Sequence, residues 1–190
     1  MTGWRLNRVI LALNRGAVIA YPTDTIWGLG CDPLDVVAVR RIQHIKQRPS
    51  AKGLILLGSS AEQFAPFIDR TRIDALLSMP SDRSGRPVTW VVDAARHCPG
   101  WLTGNNNTIA IRLTDKPLIS ELCGQLRRPL ISTSANFSGR PSARNSLQVH
   151  RDFRKLVDFI VEDHRDHSSL GGQALASRII DLRTGRILRP

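Results

Sequence analysis

Leu6, Val9, Ile10 and Leu13 recur at the spacing of one helical face and Gly16 follows as a C-cap, so the pattern predicts an amphipathic helix over Trp4 to Arg15. The apolar run Ala17-Val18-Ile19-Ala20 reads as a buried strand that Pro22 ends. Asp32-Pro33 offers an N-cap with proline at the first helical position, and Leu34, Ala38, Ile42 and Ile45 form a stripe that runs to Lys46. Gly53 to Leu57 reads as a buried strand, with helices near Ser60 to Ile68 and Thr71 to Met79. Strands are predicted over Pro87 to Val92 and Thr108 to Leu113, separated by a loop rich in Gly, Asn and Pro. A helix over Pro117 to Leu126, a short strand Pro129 to Ser132, a helix Ser146 to Lys155 and a strand Phe159 to Val161 follow. Residues 163 to 173 are polar and glycine-containing and read as a mobile loop. Ser177 to Asp181 and Gly185 to Leu188 read as a hairpin about Thr184-Gly185.

No internal repeat or linker interrupts this order. Helices and strands with both hairpin and crossover spacing predict one α/β domain over residues 1–190, built on a twisted, mixed parallel and antiparallel open sheet flanked by helices. A chain of 190 residues, 42% hydrophobic and 23% charged, suits such a domain. Arg5 and Arg8 fall inside the first apolar period, so neither a signal peptide nor a membrane span is indicated; a cytoplasmic protein without a membrane partner is expected. Cys31, Cys98 and Cys123 are widely spaced with no Cys-x-x-Cys, which argues for buried reduced thiols rather than disulfides or a zinc site.

A net charge of +11 changes the picture, because such a surface attracts polyanions. Nucleic acid or a phosphate-rich substrate is implied. Arg40-Arg41, Arg127-Arg128 and Arg151/Arg154/Lys155 lie on or beside predicted helices where they could line phosphates, and an arginine-biased solvated surface is the plain alternative.

Three stretches carry candidate chemistry. Tyr21-Pro-Thr-Asp-Thr-Ile-Trp-Gly-Leu-Gly30 leaves the first strand with three polar side chains and two glycines that let backbone approach a ligand, although an ordinary turn has the same composition. Lys46-Gln-Arg-Pro-Ser-Ala-Lys52 places three cations within seven residues. Ser132-Thr-Ser-Ala-Asn-Phe-Ser-Gly139 adds neutral donors on a loop that leaves a strand. Gly53 to Ser60 has P-loop glycine spacing but no lysine, Gly28-Leu-Gly30 lacks a third glycine, and no Gly-x-Ser-x-Gly elbow occurs. His164 and His167 read as solvated loop residues, and no metal site is expected.

Together these stretches resemble the YrdC-like family of threonylcarbamoyl-AMP synthases in its short single-domain form: the Tyr-Pro-Thr-acid-Thr opening, a Lys-x-Arg and a Ser-x-Asn stand in the family's order, and the likeness runs from about Ala17 to Arg189. The resemblance implies an ATP-dependent nucleotidyltransferase that joins L-threonine, bicarbonate and ATP into L-threonylcarbamoyladenylate and pyrophosphate. Separate transferase proteins would then pass the threonylcarbamoyl group to the adenosine beside the anticodon of tRNA. It implies Lys46 and Arg48 as catalytic cations, with Arg48, Lys52, Thr108, Asn136 and Arg189 on ATP. Thr25, Arg112, Ser134 and Ser177 would form the threonine pocket. Mg²⁺ would arrive with ATP, without a dedicated protein site.

The chain departs from the family where Ser84-Gly85-Arg86 replaces a Pro-Gly-Pro turn before Pro87-Val88-Thr89; Arg86 could touch phosphate or solvent and stays outside the expected site. Trp27, Arg144 and Arg178 also differ from the usual residues, and the second C-terminal domain of larger members is not expected after Pro190. A second reading, motivated by the charge, is a non-catalytic factor that binds double-stranded RNA or tRNA during RNA maturation.

Overall fold

The computed structural model describes residues 3–49, 51–69, 71, 86–162 and 176–190. The expected Thr71 to Met79 helix, the 163 to 173 loop and the Ser84-Gly85 turn lie almost wholly outside them.

Among the described residues nine strands form one sheet, in the order β7-β1-β2-β6-β3-β5-β4-β8-β9. They are β1 Ile19–Pro22, β2 Trp27–Gly30, β3 Ile55–Gly58, β4 Val88–Asp93, β5 Thr108–Leu113, β6 Leu130–Ser134, β7 Phe159–Ile160, β8 Arg178–Asp181 and β9 Ile187–Arg189. The β3/β5, β4/β8 and β1/β7 pairs are parallel and the rest antiparallel, which is the mixed sheet expected. The helices are α1 Gly3–Leu13, α2 Val36–Ile45, the single turn α3 Gly100–Thr103, α4 Pro117–Leu126 and α5 Ser146–Phe153.

Strand alternation gives the sheet two different faces. One carries Leu29, Leu56, Ile109, Ile111 and Ile131, and it is buried beneath α2 and α5 through Ala38, Val39, Ile42, Val149 and Phe153. The other is covered only in part: α1 and α4 pack Leu6, Val9, Leu13, Leu118, Ile119 and Leu122 over Ile19, Tyr21, Leu57 and Leu130. The strand registers put Ser132, Arg112 and Thr89 on this second face, beyond the two helices. All three are buried, so polar groups line a recess there.

Four expectations are corrected. The segment Trp27–Gly30 is not a ligand loop but strand β2, which forms a hairpin with β1 and extends that strand through Pro22. Its glycines hid it, and Gly30 is required there: a Cβ would sit 2.7 Å from Tyr21 Cε1 and closer still to the Ile131 carbonyl. Helix α2 starts not at Asp32-Pro33 but after Asp35, whose Oδ1 accepts from the Val37 and Ala38 amides at 2.9 Å, while Asp32 folds an Asx turn on Leu34. Leu34 therefore lies outside the helix, exposed. The helix expected near Ser60 to Ile68 is one 3₁₀ turn, Ala61–Phe64.

Cys31 and Cys123 are buried and Cys98 is partly so, all unpaired, and burial pushes the three thiols up, Cys98 to about 11 and Cys123 to about 12. Trp27 is buried on the face away from the recess, so its replacement of a smaller aromatic does not shape the site. No helix among the described residues is long and apolar enough to cross a membrane.

The close approach at Gly30 makes a direct prediction: Gly30→Ala costs about 2–3 kcal/mol of stability through overpacking, read as a lower urea midpoint. An unchanged midpoint would mean that β1, β2 and β6 do not meet as described.

Candidate active site

The end of α2 aims two of the three expected cations. Gln47 takes a left-handed conformation (φ 48°), with its amide on the His44 carbonyl at 3.0 Å and the Arg48 amide on the Gln43 carbonyl at 2.9 Å. This is a Schellman ending built without glycine, so the chain reverses between Lys46 and Arg48 and sends the two side chains apart. The Lys46 ammonium donates to the Ser134 carbonyl, to the Asn136 carbonyl at 2.9 Å and to Asn136 Oδ1 at 2.8 Å. The Lys46 carbonyl accepts from the Ser138 amide at 3.1 Å, so this residue holds the loop after β6 at both of its ends. Ser134 Oγ donates to Asn136 Oδ1 at 2.6 Å, and Asn136 Nδ2 donates to the Phe137 and Arg140 carbonyls.

Lys46 is 4% exposed, and burial followed by the nearby Arg48 charge lowers its pKa to about 8. Arg48 is itself lowered by burial; one end of its guanidinium donates to the Gly53 carbonyl at 2.7 Å, while its Nε is buried without a hydrogen bond. Lys52 is exposed and forms a β-bridge with Gly104. Thr108 opens β5, about 13 Å along that strand from Arg112 at 3.3 Å per residue, so it belongs to the Gly53 end of the recess.

Arg112, 5% exposed, extends from β5 to the β1–β2 turn, where it contacts Asp24 Oδ1 at 2.9 Å and donates to Thr25 Oγ1 at 3.4 Å. Ser177, just before β8, is fixed from both neighbouring strands: its hydroxyl meets Thr89 Oγ1 at 2.7 Å, and Arg189 donates to its carbonyl at 2.6 and 3.0 Å and to its hydroxyl at 3.2 Å. Arg86 forks onto the preceding carbonyl, Ala176, at 2.5 and 3.1 Å. Burial, then the charges of Arg112, Arg86 and Arg48, press down the pKa of Arg189. Four guanidiniums therefore crowd one recess, and the ion pair recorded among them is that of Arg112 with Asp24. Cations held this close to one another favour a ligand with several negative charges.

Expected residues thus come together in three groups: Lys46, Ser134 and Asn136; Thr25 and Arg112; Ser177 and Arg189. Three participants were not assigned from the sequence. Arg86 could equally have met phosphate or solvent, Asp24 sits unassigned inside the opening motif, and Thr89 needs the register that sets it opposite Arg112. No group of three or more His, Cys, Asp or Glu that could hold a metal ion occurs among the described residues.

A family profile described as Sua5/YciO/YrdC, telomere recombination, matches residues 11–190. The chain belongs to this family. It is 42% identical over 187 residues to a threonylcarbamoyl-AMP synthase of Stutzerimonas stutzeri, covering 98% of this chain and 97% of that one. It is also 42% identical over 190 residues to a Pseudomonas fluorescens protein of the same name, covering 100% and 99%. Among solved structures, P. abyssi Sua5 complexed with L-threonine superposes with a TM-score of 0.85 at 29% identity, over 100% of this chain and 55% of the longer Sua5. E. coli YciO shares the fold, with a TM-score of 0.77 at 24% identity over 99% of this chain and 89% of YciO.

The Lys46 arrangement gives a stability prediction. Asn136→Ala removes acceptors from a buried ammonium and from Ser134, and costs about 1–3 kcal/mol, seen as a lower thermal midpoint at neutral pH. A midpoint equal to that of the parent would show that the loop after β6 does not depend on this contact.

Proposed function

We propose that the chain makes L-threonylcarbamoyladenylate and pyrophosphate from L-threonine, bicarbonate and ATP, supplying the threonylcarbamoyl group of tRNA adenosine modification. The observation that carries this reading is the recess in which Lys46, Arg48, Arg112 and Arg189 converge, and full-length relatives named threonylcarbamoyl-AMP synthase support it.

Arg112 takes the threonine carboxylate, and hydroxyls of Thr25, Ser134 and Ser177 accompany the substrate's polar groups. A site that bonds the substrate hydroxyl favours threonine over valine. Arg48, Lys52, Thr108, Asn136 and Arg189 face ATP. Lys46, whose donors already hold the Ser134–Asn136 loop, acts through its charge and through the shape it gives that loop. The amino group of threonine captures bicarbonate as a carbamate with loss of water, and a carbamate oxygen displaces pyrophosphate from the α-phosphorus. Positioning and charge stabilisation account for the protein's part, so no covalent enzyme intermediate forms. Mg²⁺ accompanies ATP and offsets charge on its phosphates.

The RNA-binding alternative finds no support: the relatives carry an enzyme's name along their whole length.

Incubated with ATP, Mg²⁺, bicarbonate and L-threonine, the purified chain should release pyrophosphate and accumulate the adenylate only when all three substrates are present, as followed by mass spectrometry. Arg48→Ala should slow this about a hundredfold. Product without threonine, or a wild-type rate in Arg48→Ala, contradicts the reading.

Lys46 also gives a pH dependence with a defined sign. Its pKa of about 8 means that the ligand-free protein loses this charge as pH rises through that value. A triphosphate binds the charged form better, so MgATP affinity should fall between about pH 7 and about pH 9, and Lys46→Met should be both weaker and flatter by calorimetry. A flat wild-type profile would remove the Lys46 charge from nucleotide binding.

A further inference from the structure

The β1–β2 turn is fixed from within. Thr23 Oγ1 donates to the Ile26 carbonyl at 2.7 Å, accepts from the Thr25 amide at 3.1 Å and meets Thr25 Oγ1 at 3.0 Å. Thr23 and Thr25 are both buried, Thr25 Oγ1 accepts from Arg112 at 3.4 Å, and Asp24 is the charged side chain this turn offers to Arg112. That pair is close but not closed. Asp24 Oδ1 stands 2.9 Å from an Arg112 terminal nitrogen, yet this buried oxygen carries no hydrogen bond, and the buried Arg112 Nε carries none either. Leaving such atoms unsatisfied is costly, and more so for charged groups. One orphan is an acceptor and the other a donor, side by side and of opposite charge. A ligand that completes both must bring an anion and a cationic N–H group a short distance apart. An α-amino acid carries both on one carbon.

We infer that Asp24 accepts a hydrogen bond from the amino group of the amino-acid substrate, while Arg112 receives its carboxylate. The inference rests on the assignment of the threonine carboxylate to Arg112. The contact survives carbamate formation: the ammonium gives one proton to solvent and a second leaves with the departing water, so the nitrogen keeps one N–H. Asp24 takes that N–H and repels the new carbamate oxygens, which turns them away from itself and toward the remaining cations. The carboxylate thereby orients the nucleophile for attack on ATP, and no proton needs to pass to Asp24.

The test compares two ligands on folded variants: L-threonine, and 3-hydroxybutyrate, which keeps the carboxylate and hydroxyl and lacks the amino group. Asp24→Asn should weaken L-threonine roughly tenfold or more, the loss of a charged hydrogen bond, and leave 3-hydroxybutyrate within about twofold, both followed by NMR titration. Asp24→Glu should restore part of the preference for L-threonine. Equal weakening of both ligands would show that Asp24 only braces Arg112 and would overturn the inference, as would an unchanged threonine affinity. Arg112→Lys separates the underlying assignment. If it leaves both affinities intact, the carboxylate lies elsewhere; if it weakens both while Asp24→Asn weakens neither, only the Asp24 role fails.

Discussion

The Lys46 ammonium joins the end of α2 to the loop that leaves β6, and the site depends on that junction. A charge this deeply buried is tolerable only with oxygen acceptors around it, and the Ser134 carbonyl, the Asn136 carbonyl and Asn136 Oδ1 supply them. The same contacts set the positions of Ser134 and Asn136, so the helix end, the loop and the hydroxyls of the recess are one unit. Burial makes the charge labile near neutral pH, which ties the integrity of the loop to the electrostatics it presents.

Around that unit the sheet divides labour between its faces. The face under α2 and α5 is apolar and closed. The other is closed by α1 and α4 over only part of its width, and the uncovered part holds Arg112, Thr89 and Ser132. Arg86 and Arg189 then approach from the β4 and β9 sides and grip the consecutive carbonyls of Ala176 and Ser177. The Arg86 guanidinium, which the sequence left outside the site, is therefore part of the cluster.

Legibility followed the strength of local signals. The α4 boundaries were readable because proline at the first position opens an apolar helical run, and β5 because β-branched residues alternate to Leu113. Strand β2 was hidden because Gly28 and Gly30 weaken any strand pattern, and the reason for Gly30 is tertiary, the close passage of Tyr21 and β6. Asp32 misled as a cap because its carboxylate is used by the Leu34 amide and Arg128, and the helix is capped three residues later by Asp35. The cations themselves were visible in the sequence. What was not visible was the left-handed Gln47 that separates Lys46 from Arg48, or the register that brings Thr89 opposite Arg112 and so makes three separate stretches one site.

The central claim is that one recess holds nucleotide phosphates and the amino-acid carboxylate side by side. A crystal structure of the chain with L-threonine and a non-hydrolysable ATP analogue tests it most directly. The account predicts the threonine carboxylate on Arg112 and the phosphates beside Arg48 and Arg189, with the Ser134–Asn136 loop still held by Lys46. Phosphates bound away from Arg48 and Arg189, or a threonine carboxylate away from Arg112, would contradict it.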